Sequence, residues 1–163
     1  MLSEGVLSLL ISMLGNPNFY NGCFCALSNI FYRSGKPHST FSFLYPVMNK
    51  RAFVKEEGFP VLLEAIQNVL ENEKSTELAT LTLRNLCCNS NPYAPSGGIL
   101  FESTWSFAHS KILAEDHRYY LADVSLNFIP LLTSISTEFP KNAAIQENLL
   151  WIFLNYSLNS GLD

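Results

Sequence analysis

The chain has few charged residues and no cluster of basic ones. Only 15 % of its 163 residues are Asp, Glu, Lys or Arg, and the formal net charge is -4. Binding to a phosphate backbone requires clustered Lys and Arg that displace counterions, so the composition argues against nucleic acid as a partner. Because 48 % of the residues are hydrophobic, the chain can nevertheless bury a full core, which excludes disorder for most of its length.

Long apolar runs are also missing. The longest of them are interrupted by Ser or Asn well before the roughly 20 residues that a helix needs to cross a bilayer. The N-terminal stretch from Met1 to Leu14 contains Glu4 and has no positive residue ahead of its apolar part, which is unlike a secretory signal. We therefore expect no membrane insertion and a cytoplasmic location.

Metal-binding spacing is absent as well. Cys23 and Cys25 lie two residues apart and Cys87 and Cys88 are adjacent, whereas zinc ligands are usually separated by a short turn. This spacing favours buried, reduced thiols. The histidines are scattered, and a pair of them on one helix face would still lack a third ligand. The sequence thus predicts neither a metal nor a cofactor.

Enzyme motifs are not found either. No Ser or Cys stands in a recognisable nucleophile context, and Gly97 and Gly98 lack the lysine and the spacing of a phosphate-binding loop. We therefore predict that the protein is not an enzyme.

The chain does contain an internal repeat. Two groups of residues recur at an offset of 70: Pro60, Val61 and Leu62 as Pro130, Leu131 and Leu132, and Asn85, Asn89 and Ser90 as Asn155, Asn159 and Ser160. An earlier copy, at a looser offset of about 55, begins at Glu4 and Gly5 and reaches Asn29. Repeats of this length are typical of solenoids, which mostly bind other molecules.

Apolar spacing places helices within each copy. Residues 61–70 carry one apolar stripe, and after a polar break Ser75 or Thr76 is able to cap the next helix. In the later copy, Pro130 opens a helix through Ile135, and 143–158 forms a strongly apolar helix. Residues 49–58 read as a shorter helix that ends at glycine.

These units resemble armadillo repeats. The resemblance rests on residues 49–63, NKRAFVKEEGFPVLL, on 83–86, LRNL, and on 151–155, WIFLN, which is similar to the WxxxN motif of importin-type repeats. It implies three helices per unit, with a glycine that allows the tight turn from the first helix into the second. The expected fold is an all-α, right-handed α-solenoid of about three armadillo-like repeats, at about 1–33, 48–90 and 110–160, in one domain covering 1–163.

Some positions depart from the family. Leu81 and Cys25 stand where the Trp of WxxxN would be, and Asn127 or Phe128 replaces the turn glycine in the last copy. These departures weaken the analogy with importin-type cargo receptors, which stays as an alternative.

The resemblance also implies a binding surface. In the family, asparagines on the third helices line the concave face and hold the main chain of an extended peptide, and the matching residues here are Asn29, Asn85 and Asn155. An amide suits this task because it both donates and accepts hydrogen bonds. The alternative is that these amides bond within the solenoid. Trp151 is either a wall for ligand stacking or core, and Arg84 either reaches the same face or is simply solvated.

Two insertions interrupt the repeats. Residues 34–46 and 91–110 begin with Gly and Pro and continue with aromatic residues. We expect them to fold onto the solenoid and fill a groove, since exposed aromatic patches are costly; the alternative is a mobile docking element.

The sequence therefore predicts a non-enzymatic protein-interaction scaffold. Its alternatives are an importin-like adaptor and a purely architectural segment of a larger protein, whose ends more of the chain or another subunit would cover. Residues 83–88 and 110–114 are also similar to an armadillo region of a centriole and cilium protein, which implies a role in centriole assembly and a location at the centrosome or ciliary base.

Overall fold

The structure, a computed structural model, describes residues 5–32, 44–87 and 128–159, with side chains at 5–32, 48–87 and 128–154. These three ranges consist of helices and the turns between them, without any strand, so the all-α prediction is confirmed there. None of their helices is long and apolar enough to span a bilayer. Residues 34–43 of the first insertion and the whole second insertion, 91–110, lie outside the described residues. The predicted first helix of the last repeat lies outside them as well.

Seven α-helices and one short 3-10 helix are described. In the first range these are α1 (Val6–Met13), the 3-10 helix (Pro17–Phe19) and α2 (Tyr20–Phe31). The second range contains α3 (Leu44–Lys55), α4 (Gly58–Gln67) and α5 (Glu73–Cys87). The third contains α6 at 128–138 and α7 (Ala143–Asn159).

Several helix boundaries differ from the predicted ones. Helix α3 ends at Lys55 rather than at Gly58, and α4 covers Gly58–Gln67 rather than 61–70. Helix α3 begins at Leu44, inside the first predicted insertion, rather than at residue 49. Helix α6 already includes Phe128, so Pro130 does not open it, and it continues to residue 138 instead of ending at Ile135. Pro60 is the third residue of α4, still within the first turn, where a missing N–H is tolerated.

Helices α2, α5 and α7 lie side by side in that order. Helix α5 makes its most extensive contacts with α2 on one side and α7 on the other, while α3 packs against both α1 and α2 and α1 also contacts α4. We call the row of α2, α5 and α7 the ladder. It places helices that are far apart in the chain, but equivalent in the repeat, next to each other.

A single apolar core joins the described helices. Its largest fully buried side chains include Phe24, Phe31, Phe53 and Phe128. The rings of Phe31 and Phe53 meet edge to face with centroids 5.1 Å apart, which joins α2 to α3.

The turn that precedes the last helix of a repeat uses the same cap in two copies. The Oδ1 of Asn72 accepts a hydrogen bond from the Ser75 amide at 3.0 Å, and the Oδ1 of Asn142 accepts one from the Ile145 amide at 2.9 Å. Asn72 therefore caps α5, and neither Ser75 nor Thr76 does, because both lie inside the helix and are buried. The caps stand 70 residues apart, which is the offset found in the sequence.

A second contact in this turn repeats with the same offset. The Thr76 hydroxyl donates to the Val69 carbonyl at 2.9 Å, and 70 residues later Gln146 Nε2 donates to the Phe139 carbonyl at 3.0 Å. In each copy a side chain from the later helix thus satisfies a carbonyl just beyond the end of the preceding one. The repeat extends to hydrogen bonding although Thr76 and Gln146 are different residue types.

Gly58 is required for close packing rather than for the turn itself. The left-handed backbone conformation before α4 belongs to Glu57, with φ 58°, whereas Gly5, with φ 98°, has that role before α1. An ideal Cβ on Gly58 would lie 2.5 Å from Phe53 Cε2. The sequence-based interpretation of this glycine as the turn residue is therefore wrong: Gly58 makes room for the buried ring of Phe53.

We expect Gly58→Ala to lower the free energy of unfolding by about 1–3 kcal/mol, because the added methyl group forces the Phe53 ring to move in a packed core. Urea unfolding followed by circular dichroism measures the loss. Glu64→Ala, at an exposed position of the same helix, is the matched control and should change stability little. Equal stability of Gly58→Ala and the unmodified chain would contradict the described approach of α3 to α4.

Candidate functional site

The solvent-facing side of the ladder carries most of the residues selected from the sequence. Helical spacing puts these residues on one side of each helix, where they are exposed or half-buried. We call this surface the ladder face, and it consists of Cys25 and Asn29 on α2, Glu77, Leu81, Arg84 and Asn85 on α5, and Glu147 and Trp151 on α7.

Asn85 joins two helices of the ladder. Its Nδ2 donates to the Ser28 Oγ at 2.9 Å and to the Ser28 carbonyl at 3.2 Å. The amide that the family resemblance assigns to a ligand is therefore used between α5 and α2. For Asn85 the structure shows the alternative, a hydrogen bond within the fold.

A buried threonine adds to the same contact between α2 and α5, which we call the α2–α5 seam. Thr82 is fully buried, and its hydroxyl lies 2.8 Å from the Phe24 carbonyl on α2 and 2.8 Å from the Leu78 carbonyl on its own helix. The hydroxyl has one proton to share between these two acceptors. Together with Asn85 it gives the α2–α5 contact a polar edge beside the apolar core.

Arg84 joins α5 to α7. Its Nη1 donates to Glu147 Oε1 at 3.2 Å and to Asn148 Oδ1 at 3.1 Å, and its guanidinium carbon lies 5.3 Å from the centre of the Trp151 ring. A cation over an aromatic face is worth about 0.5–1 kcal/mol at exposed sites, similar to an exposed ion pair. Arg84 is thus held in place by α7 rather than simply solvated.

Asn148 completes this second seam. It is 4 % exposed, and its Nδ2 donates to the Thr80 hydroxyl at 3.3 Å while its Oδ1 accepts from Arg84. A buried amide is stable only when both its donor and its acceptor are used, and here both are. The α5–α7 contact therefore also has a polar edge.

The other three predicted site residues, Asn29, Trp151 and Asn155, differ in how far the structure describes them and in what they contact. Asn29 is exposed, and its Nδ2 donates to the Cys25 carbonyl of its own helix at 2.9 Å. Trp151 is 39 % exposed, so it belongs to the ladder face rather than to the core. The side chain of Asn155 lies outside the described residues, although its backbone continues α7.

The cysteines differ from one another in exposure. Cys23 and Cys87 are buried as expected, and burial raises the pKa of the Cys23 thiol, which keeps it protonated. Cys25 is exposed on the ladder face, so the prediction of buried cysteines is wrong for this residue. In the part of the chain that is described, no three His, Cys, Asp or Glu side chains come together in a way that could hold a metal ion.

Sequence reasoning missed the polar residues inside the two seams. Ser28, Thr80, Thr82 and Asn148 stand among the apolar residues on the inner sides of α2, α5 and α7, and all four are buried. Their place there was the available signal, because a buried polar side chain needs a partner. Comparison with known proteins yields no significant match to a protein family, a curated protein or a solved structure.

Proposed function

We propose that the chain is a non-enzymatic protein-interaction scaffold built as a right-handed, armadillo-like α-solenoid. Two observations support this architecture. The 70-residue repeat holds for the Asn72 and Asn142 caps as well as for the sequence, and equivalent helices α2, α5 and α7 pack side by side. In a solenoid each repeat contacts its neighbours in this way and leaves one extended surface open.

The observation that carries the binding proposal is a row of side chains along the ladder face. Cys25, Leu81 and Trp151 occupy the Trp position of the WxxxN pattern, one on each helix, and all three are exposed or half-buried. Neighbouring helices lie about 8–10 Å apart, which two to three residues of an extended segment span at about 3.3 Å each. A partner in extended conformation could therefore place one side chain against each position of the row.

The hydrogen bonds between the helices of the ladder limit which side chains are left to hold such a segment. Asn85 and Arg84 are engaged between helices, so we assign them to keeping the ladder aligned. Leu81 and Trp151 remain as the apolar contacts, and Asn29 as the exposed amide of the face. In this proposal the partner is recognised chiefly by apolar side chains rather than through a row of asparagines.

Affinity purification with mass spectrometry tests the proposal. Leu81→Glu puts a charge at the centre of the row, and we expect it to remove the proteins that the unmodified chain retains. The matched control is Glu64→Ala on α4, away from the ladder face, which should retain them. An unchanged partner list for Leu81→Glu, with native circular dichroism, would contradict binding at this face.

The same experiment distinguishes a purely architectural segment from the scaffold, and the sequence bears on a second alternative, an importin-like adaptor. A purely architectural segment, whose ladder face packs on its own chain, is favoured by the Asn85 and Arg84 seams, and it predicts identical partner lists for both variants. An importin-like adaptor is disfavoured, because Trp151 is matched by Leu81 and Cys25 rather than by further tryptophans.

We further propose a cellular setting from the sequence resemblance. The run 83–88, followed after the insertion by SKILA at 110–114, is similar to the C-terminal armadillo region of rotatin, a large centriole and cilium protein. On this basis the scaffold acts in centriole assembly and ciliogenesis, in the cytoplasm at the centrosome or ciliary base. Centriolar proteins among the Leu81-dependent partners are expected, and partners drawn only from other structures would contradict this role.

A further inference from the structure

Charge is distributed unevenly along the ladder. Residues 5–32, which contain α1 and α2, include no Asp, Glu, Lys or Arg, whereas 44–87 include eleven. Helix α7 has one charged residue, Glu147, and Arg84 pairs with it. The outer helices of the ladder therefore contribute few charges of their own, although Glu56, which directly follows α3, accepts a hydrogen bond from Ser8 of α1, and a low charge is typical of the cores of protein interfaces.

Exposed apolar side chains lie at the two ends of the ladder. Among the described residues, the large hydrophobic side chains that are exposed are Leu9, Phe19 and Tyr32 at the first end, Leu150, Trp151 and Leu154 on α7, and Met48 on α3. Single exposed apolar residues are ordinary, but groups of them mark interaction surfaces.

Comparing α5 with α7 across the repeat indicates what the outer edge of α7, the side away from α5, is suited to contact. On α5, the edge that receives α7 carries Thr80 and Arg84, which bond to residues of α7. The positions 70 residues later are Leu150, which is 68 % exposed, and Leu154, which is 47 % exposed. This edge is polar and covered by a neighbouring helix on α5, but on α7 it is apolar and exposed. A further helix packed against this edge of α7 would continue the row.

The opposite end of the ladder carries small residues on its outer edge. Helical spacing turns Gly22 and Ala26 of α2 away from the edge that contacts α5. Gly22 is exposed, and nothing lies within 4 Å of an ideal Cβ built on it. Leu9 on the neighbouring α1 is 59 % exposed. Small residues on one helix leave room for leucines of another, which allows close helix packing.

We infer that a second copy of the chain docks its α1–α2 end against α7, so that the ladder continues from one copy into the next. Both halves of this contact are on the same chain, and both expose leucines, Leu9 on one side and Leu150 and Leu154 on the other. The contact joins two different surfaces, so it is heterologous and does not close after two copies. The inference is separate from the ladder face, since it uses the edges of the row and leaves its solvent-facing side open.

Sedimentation velocity over a wide concentration range tests this arrangement with the full chain. The average mass should rise with concentration beyond that of two 18.3 kDa copies. Leu150→Glu blocks one surface and Leu9→Glu blocks the other, so each variant alone should lose self-association. Their equimolar mixture should form a pair and stop there, because each pair has one intact contact and two blocked ends. Met48→Glu changes an exposed side chain on α3, which is not part of the proposed contact, and should behave like the unmodified chain.

Several outcomes would overturn the inference. These are an unmodified chain that stays monomeric at every concentration, a Leu9→Glu variant that still pairs with itself through α7, and a Leu150→Glu variant that pairs through α1 and α2. Circular dichroism checks that each variant is folded, and Leu150→Ser replaces Leu150→Glu if the charge disturbs helix α7.

Discussion

Replacing Phe53 with alanine is expected to lower the free energy of unfolding by about 3–5 kcal/mol. The Phe53 side chain is 0 % exposed, its ring meets Phe31 edge to face, and the same ring lies directly against the backbone of Gly58. It therefore holds α3 against both α2 and α4, and its removal leaves a cavity where three helices meet. Urea unfolding monitored by circular dichroism measures the change.

Two further variants show whether this loss has the described cause. Phe19→Ala removes a ring that is 45 % exposed and should change stability by less than about 1 kcal/mol. Gly58→Ala should become nearly neutral when Phe53 is already alanine, because the clash that makes it costly has gone. If Gly58→Ala costs the same in both backgrounds, the ring does not lie where the structure places it.

Alanine at Leu62 or Leu132 is expected to cost about 2–5 kcal/mol in each case. The two leucines stand 70 residues apart, on α4 and α6, and both are 0 % exposed in the same continuous core. Because the repeat places them in equivalent positions, their losses should be similar, and each variant should still unfold in a single transition. Urea unfolding of both variants, side by side, makes the comparison.

Met48→Ala serves as the control for this pair, since it shortens an exposed side chain on α3 and should change stability by less than about 0.5 kcal/mol. A large loss for Leu62→Ala together with almost none for Leu132→Ala would contradict the equivalence of α4 and α6. It would mean that α6 does not share the core that the structure describes.

The helices were the most predictable part of the protein. The apolar spacing at 61–70 and at 143–158 predicted helices that the structure contains as α4 and α7, because one helical period is readable within a short stretch. Their ends were less predictable. The cap at Asn72 was assigned to Ser75 or Thr76, since all three residue types can accept the same bond and only the backbone shows which one stands at the start.

The bonding of the candidate site residues was not predictable from the sequence. Asn29, Arg84, Asn85 and Trp151 are exposed or half-buried on α2, α5 and α7. The partner of Asn85 is Ser28, 57 residues away, and that of Arg84 is Asn148, 64 residues away. No local pattern links residues so far apart, so the sequence left open whether these side chains bind a ligand or one another.

The sequence by itself determined the helical class, the 70-residue repeat and the scarcity of charge in residues 5–32, because each of these depends only on the order of residue types. Tertiary structure decided which polar groups are already used. An asparagine that holds a ligand and one that joins two helices are chemically the same, and only the helix packed beside it distinguishes them. For the same reason Gly58 proved to be a packing residue: the ring that requires it, Phe53, becomes its neighbour only when α3 and α4 fold together.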